Sequence, residues 1–324
     1  MFTLKVSIAM ATFNGGQYLQ EQLDSFVNQT RLPEELIITD DCSTDKTIAI
    51  IKKFSEIAPF PVFFYQNDKT LGYAGNFNRA LSLTSGDIVF LSDQDDVWFP
   101  EKIERITELA QSSSALVIMN DAALTDANLN DTRLTKIGQI RSGGLNDSAF
   151  VMGCCAAVKR DLLTLCLPIL EGYRAHDVWI VRIAEGMGRK YVFNDVLQYY
   201  RRHGKNSSNF IANRTKKVTN WTRLISDLKI LIFMGKNELS NIYQEEIFIK
   251  GVCSAIKRSH DPYTSELENF LKLLSSRHDN VKLRYEIRKF PRIKRIIPVF
   301  NAYKNGVYRD FLGFKSTIRD IFIK

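Results

Sequence analysis

Three carboxylates fall within four positions in FLSDQDDVWF, where Asp93, Asp95 and Asp96 follow directly on the apolar run IVFL. Like charges this close repel unless a cation neutralises them or their protons stay on. One Asp would suffice to cap the helix that begins near Pro100. Three at the end of a buried strand exceed that need, and a cation site accounts for the excess. All-oxygen donors select a hard ion, Mg2+ or Mn2+, over zinc. A cation held by one or two carboxylates keeps open positions, which suit the negative oxygens of a diphosphate. The spare acid leaves open, by one register, which of the three touches the ion.

Other polar clusters follow other apolar runs. Thr12, Phe13 and Asn14 come after the first run, and Asp40-Asp41 after LIIT. Taken alone, Asp40-Asp41 read as a cap for a helix starting near Ser43. His176-Asp177 opens a segment with Trp179, Ile180, Ile183 and Met187 at helical spacing, and Asp177 sits where a first-turn acid is favoured. Taken alone, Asp177 is also a cap, and His203 in LQYYRRHGKNSSN is a surface or capping residue. Gly153 in FVMGCCAAVKRDLL suits either close backbone approach or packing.

The elements that must position these residues alternate. Leu4–Ala11, Leu36–Thr39, Val62–Tyr65, Asp87–Leu91, Ala115–Met119 and Phe150–Val158 read as strands. Leu19, Leu23, Phe26 and Val27 share one helical face, as do Ile48, Ile51 and Phe54, and Ile103, Ile106, Leu109 and Ala110. The fold class is therefore α/β, a mostly parallel sheet flanked by helices. Strands apolar on both sides, such as DIVFL, suit its centre. Ligands of such sheets bind at the carboxyl ends of the strands, where the polar clusters fall.

Strand signals fade from about residue 215. The expected division is a ligand-binding and catalytic domain over 1–215 and a basic helical region over 216–324, in which WTRLISDLKILIFMGKNELS and SELENFLKLLSSRH read as helices. Residues 214–324 hold 23 Lys+Arg against 11 Asp+Glu, whereas residues 1–213 hold 21 against 25. Basic and apolar residues alternate in the tail, with aromatics among them, which suits an anionic membrane surface. No recognised motif makes nucleic acid a partner. The five scattered cysteines form no framework and read as reduced thiols. No window reaches the length of a transmembrane helix. The N-terminus reads as a strand entering a loop and not as a signal peptide. The expected location is cytoplasmic, with the tail peripheral on the inner face of the cell membrane.

Together, VSIAMATFNGGQYLQEQLDSFVNQT, ELIITDDCSTDKT and SGDIVFLSDQDDVWFPEKI resemble family-2 glycosyltransferases of the GT-A fold. The match in order and spacing covers roughly residues 4–210. The resemblance implies that Asp41, with the loop holding Thr12, meets the nucleotide base. It implies that Asp93 lies near ribose and metal, and that Asp95, with Asp96 as substitute, ligates the metal. LGYAGNFNRAL resembles a block that usually holds an Arg-Asn pair, a role carried to Arg79 although the order here is Asn78-Arg79. GYRAHDVWIVRIAEGMG resembles the block of the catalytic acid, in the His-Asp-Trp variant of rhamnosyltransferase-like members, and makes Asp177 the base. The Tyr-Arg-x-His-Gly-x-Asn segment implies that Arg202 or His203 stabilises the leaving diphosphate, with His203 near the metal. FVMGCCAAVKRDLL, around Gly153, resembles the segment that lines the donor sugar and acceptor side.

The implied activity is inverting transfer of a sugar from dTDP-rhamnose or a UDP-sugar to a hydroxyl of a glycan or lipid-linked glycan, in cell-surface polysaccharide synthesis. Two alternatives remain at this point. A haloacid-dehalogenase-like phosphatase would use Asp93 as nucleophile and Asp95 as acid. A non-catalytic scaffold would act through the basic tail.

Overall fold

The structure is a computed structural model that describes residues 4–204, 206, 211–219, 222, 238–309, 311 and 313–322. The chain divides into two compact units, residues 1–224 and 225–324. The expected helix WTRLISDLKILIFMGKNELS falls largely outside the described residues.

The first unit is built on one nine-stranded sheet. Its strands are β1 (Val6–Thr12), β2 (Glu35–Asp40), β3 (Val62–Gln66), β4 (Ile88–Ser92), β5 (Val97–Trp98), β6 (Val117–Thr125), β7 (Asp131–Thr135), β8 (Ala156–Lys159) and β9 (Lys190–Arg201). The order is β3-β2-β1-β4-β8-β6-β9-β5, and β7 pairs with β6. β3, β2, β1 and β4 run parallel, β8 is antiparallel to its neighbours β4 and β6, and β6 and β9 are again parallel. The helices of this unit are α1 (Leu19–Val27), α2 (Thr47–Ile57), α3 (Gly72–Leu83), α4 (Lys102–Ser112), α5 (Lys136–Ser142), α6 (Arg160–Cys166) and α7 (His176–Gly186).

β1 and β4 are buried almost throughout, as expected of central strands covered on both faces. Their side chains join Leu19, Leu23, Phe26, Ile51, Ile103 and Ile106 from the helices in one core. Phe26 meets Trp98 edge-on at 4.7 Å between ring centroids.

The expected strand over Phe150–Val158 is shorter in the structure. Only Ala156–Lys159 pairs, and Gly153–Cys155 form a 3-10 turn. Both stretches are buried, and an apolar run reports burial without distinguishing a strand from a buried turn.

The second unit holds α8 (Glu238–Arg258), α9 (Tyr263–Lys289), α10 (Arg292–Lys304) and α11 (Phe314–Phe322). The expected helix SELENFLKLLSSRH lies within α9. Ile287, Val299, Ala302, Val307 and Tyr308 form a small core. Beside it Asp320 is fully buried and ion-paired with Arg284 and Arg288, each at 2.7 Å, and accepts a bond from the Tyr308 hydroxyl at 3.1 Å. Burial alone would raise the Asp320 carboxyl, but the arginines reverse that and hold it below the usual range.

Candidate active site

Register brings the polar clusters together. Thr12 pairs with Asp40 across β1 and β2, and Met10 with Ser92 across β1 and β4. The loops after three parallel strands therefore open at one edge, where ligands of open α/β sheets bind. A cavity of about 630 Å3 lies there; Thr12, Asp41, Asp93, Asp95 and His203 are among its lining residues, with Tyr73 and Phe13.

Each loop is fixed by its own acid. Asp40 accepts the Ser43 amide at 2.8 Å and the Thr12 hydroxyl at 2.9 Å. Asp41 is buried and accepts Asn67 Nδ2 at 2.8 Å, the Leu71 amide at 2.7 Å and the Gly72 amide at 2.9 Å. It thus caps a helix, but that helix is α3 and not the one following Ser43. Three donors leave room for about one more on a carboxylate. Asp45 binds the Gly16 and Thr47 amides at 3.0 and 2.9 Å. Partial burial would raise its pKa, yet the Thr47 hydroxyl, which also donates to it, and these two amides hold it below the usual value.

The acids after β4 separate by direction. Asp93 and Asp95 face the cavity. Burial, reinforced by the charges of Asp95 and Asp177, pushes Asp93 up to about 7. Asp95 Oδ2 lies 2.7 Å from His203 Nε2. Asp96 points the other way, fully buried, and accepts Gln198 Nε2 at 3.0 Å and the Arg201 amide at 3.2 Å. Burial, then Asp95 and Asp93, raises its pKa well above the carboxylate range. Ligand atoms of Asp93, Asp96 and Cys154 lie within 4.8 Å of one another. The Cys154 thiol is raised by burial and so stays protonated, a poor donor to a hard cation. A half-buried pair of oxygen donors facing the cavity, one of them raised in proton affinity by burial and then by its neighbour's charge, is a donor set that fits Mg2+ or Mn2+.

Asp177 stands in the first turn of α7. It does not line the cavity, but its charge reaches two residues that do. Tyr73 is raised first by burial and next by Asp177, and Asp93 feels the same charge. His176 beside it is buried, stacked on Phe77 at 3.9 Å, and neither ring nitrogen has a partner. Burial lowers its pKa, so the ring is neutral.

The chain is similar to known proteins. Residues 7–165 match the family described as Glycosyl transferase family 2. The chain belongs to that family. An uncharacterized glycosyltransferase of Nostoc sp. is 28% identical over 227 residues, covering 66% of this chain and 70% of the relative. A dTDP-rhamnosyl transferase of Shigella flexneri is 36% identical over 99 residues, which cover 29% of this chain and 34% of the relative. The aligned segment is thus about a third of that enzyme. Among solved structures, S. aureus TarS 1–349 in complex with UDP aligns with a TM-score of 0.54 at 16% identity, covering 85% of this chain and 91% of that one. That likeness establishes the GT-A fold. The protein is a glycosyltransferase of the class that uses nucleotide-sugar donors.

Several residues of this glycosyltransferase lie where sequence reading did not place them. Arg79 is outside the cavity lining and donates to the Gln66 carbonyl at 3.1 Å, bracing the end of β3. Arg202 lines a neighbouring groove with Arg214, Lys216 and Lys217. Arg201 is the residue that holds the acidic loop. It is buried, donates to the Asp95 carbonyl and the Ala127 carbonyl at 2.8 Å each, and pairs with Glu21. Consecutive residues of an extended chain point to opposite sides, so only one of Arg201 and Arg202 could turn inward. Lys102 was also missed. Fully buried, it donates to the Cys154 carbonyl at 2.9 Å and to Gln198, and burial lowers its pKa to about 8. Its charge opposes the rise in the Asp93 pKa. Its only sequence signal was its place in the first turn of an amphipathic helix.

Gly153 lies beneath the start of α7. A Cβ there would stand 2.9 Å from His176 Nε2 and 3.3 Å from Asp177 Cβ. Gly153→Ala is expected to displace the helix start, costing roughly 1–3 kcal/mol of stability. Transfer should fall further than the melting temperature alone explains, which thermal denaturation and kcat on one sample would show.

Proposed function

We propose that this glycosyltransferase inverts the anomeric centre, moving a sugar from a nucleoside diphosphate to a hydroxyl of a glycan or lipid-linked glycan. The observation that carries the reading is one cavity lined by Asp41, Asp93 and Asp95, with the charge of Asp177 felt by Asp93 and Tyr73 of the same lining. Asp41 has one acceptor position left for a base N–H. The dTDP-rhamnosyl transferase relative favours dTDP-rhamnose as donor; a UDP-sugar is the competing choice.

Asp93 and Asp95 would hold the divalent ion, while Asp96 anchors β9. The ion, Mg2+ or Mn2+, supplies neutralising charge to the diphosphate. Asp177 accepts the proton of the acceptor hydroxyl as its oxygen bonds to the anomeric carbon. The carbon–diphosphate bond breaks, and its electron pair leaves with the nucleotide. His203 beside Asp95 would offset the negative charge that develops there, whereas Arg202 lines the adjoining groove. Attack from the side opposite the diphosphate reverses the configuration. This assignment also gives roles to the blocks around Thr12 and Asp41, which the phosphatase reading left without function, and the base at Asp177 disfavours a mere scaffold.

Product stereochemistry tests it. Proton NMR of the first product formed from a donor of known anomeric configuration should show the opposite anomer. Retention would point to a covalent intermediate and remove Asp177 from the role of base.

A further inference from the structure

The last two helices carry apolar faces that their own unit does not bury. In α10 the packed face is Arg295, Val299 and Ala302, and it joins the small core. A second face, Ile293, Ile296, Ile297 and Phe300, lies at helical spacing on the other side. It is open to solvent, with Ile293 85% and Ile297 73% exposed. In α11 the usual arrangement is inverted. Ser316, Thr317 and Asp320 are buried, while Phe314 and Phe322 are 65% and 63% exposed and Ile318 is also open. A helix of a water-soluble unit normally turns its apolar stripe to the core. Here a buried ion-pair network around Asp320 holds the polar side in and directs the apolar side out.

The exposed charges on these two helices themselves have one sign. α10 contains no acid, and Arg292, Lys294 and Lys304 are exposed on it. Lys315 is exposed on α11, whose sole acid, Asp320, is the buried one. Aromatic and aliphatic anchors flanked by exposed cations, on two helices with no exposed acid among their described residues, match the interface of an anionic bilayer, where acyl chains receive the first and headgroups the second. A protein partner would need a complementary patch equally apolar and acidic, and nothing in the molecule points to one. No helix among the described residues is long and apolar enough to cross a membrane, so the contact would lie along the surface.

We infer that the exposed faces of α10 and α11 dock this glycosyltransferase onto an anionic lipid surface. The inference stands apart from the catalytic reading, because vesicle binding and donor binding are separate measurements. The test is co-sedimentation of the full chain with vesicles of phosphatidylcholine alone or mixed with phosphatidylglycerol. Wild type should bind the mixed vesicles, weakly bind the neutral ones, and lose affinity as salt rises. Ile293→Ser with Ile297→Ser and Phe300→Ser, and separately Phe314→Ser with Phe322→Ser, should each weaken binding about tenfold or more. All five positions are exposed, so the circular dichroism melt should stay unchanged. Equal binding to neutral vesicles, or unchanged binding by both variants, would overturn the inference. So would absence of vesicle binding together with a dimer in analytical ultracentrifugation that the same substitutions dissolve.

Discussion

Asp177→Asn is expected to lower sugar transfer by roughly 10²–10⁴-fold, the range that a positioned general base supplies. Nucleotide-diphosphate binding should remain near wild type. Asn is close in shape to Asp and can still sit in the first turn of α7, so the helix start, Gly153 beneath it and the His176–Phe77 stack should persist. What disappears is the basic oxygen. Removing a negative charge near Asp93 should, if anything, ease the crowding that raises that acid. The result is checked by following nucleotide release under saturating donor alongside a donor titration. Collapse of donor binding instead would mean that Asp177 belongs to the donor site and that the base lies elsewhere.

Asp95→Ala should remove metal-dependent donor binding, raising the apparent Kd in Mn2+ by at least about a hundredfold, since even outer-shell changes cost up to that. Asp95 faces the cavity and touches both His203 and Asn206 through Oδ2, so its loss also frees the histidine from its partner. Asp96→Ala provides the contrast. Both Asp96 oxygens are engaged by β9, at Gln198 and at the Arg201 amide. Its removal should cost stability, about 1–3 kcal/mol for donors left unpaired in a buried site, with a smaller effect on the metal dependence of a sample that remains folded. Calorimetric titration of donor with and without Mn2+, paired with thermal denaturation, separates the two. If Asp96→Ala loses metal dependence and Asp95→Ala keeps it, the register must move by one.

The strands of the parallel half were legible because each is a short apolar run ending in turn residues, and their carboxyl ends are where the polar clusters sit. Asp177 alone reads as a helix cap and takes the role of base only from the family resemblance, whereas Asp93 and Asp95 could be singled out because excess charge at a strand end is visible in one dimension. Direction was not. Asp96 differs from Asp95 by one position, and only the pairing of Val97 and Trp98 with β9 turns it inward. Arg201 and Lys102 were invisible for the same reason. A buried cation looks like a surface one until its partners, 52 to 106 residues away in sequence, are placed beside it. The Asp41 cap was read for the wrong helix because its partners at Leu71 and Gly72 arrive through β3, not through the adjacent chain. In the tail, composition revealed basic and apolar residues together, but not that α11 wears its polar side inward.

The cavity lined by Asp41 and Asp95 is proposed to hold a nucleotide-sugar through a divalent ion. Thermal denaturation of the full chain with a panel of nucleotide-sugars, dTDP-rhamnose and UDP-sugars among them, in Mn2+ and again in a chelator, tests it most directly. One donor should stabilise the protein in Mn2+, by about 2.7 kcal/mol at a hundred times its Kd, and lose most of that effect in the chelator. No stabilisation by any donor, or stabilisation that the chelator leaves intact, would contradict the account.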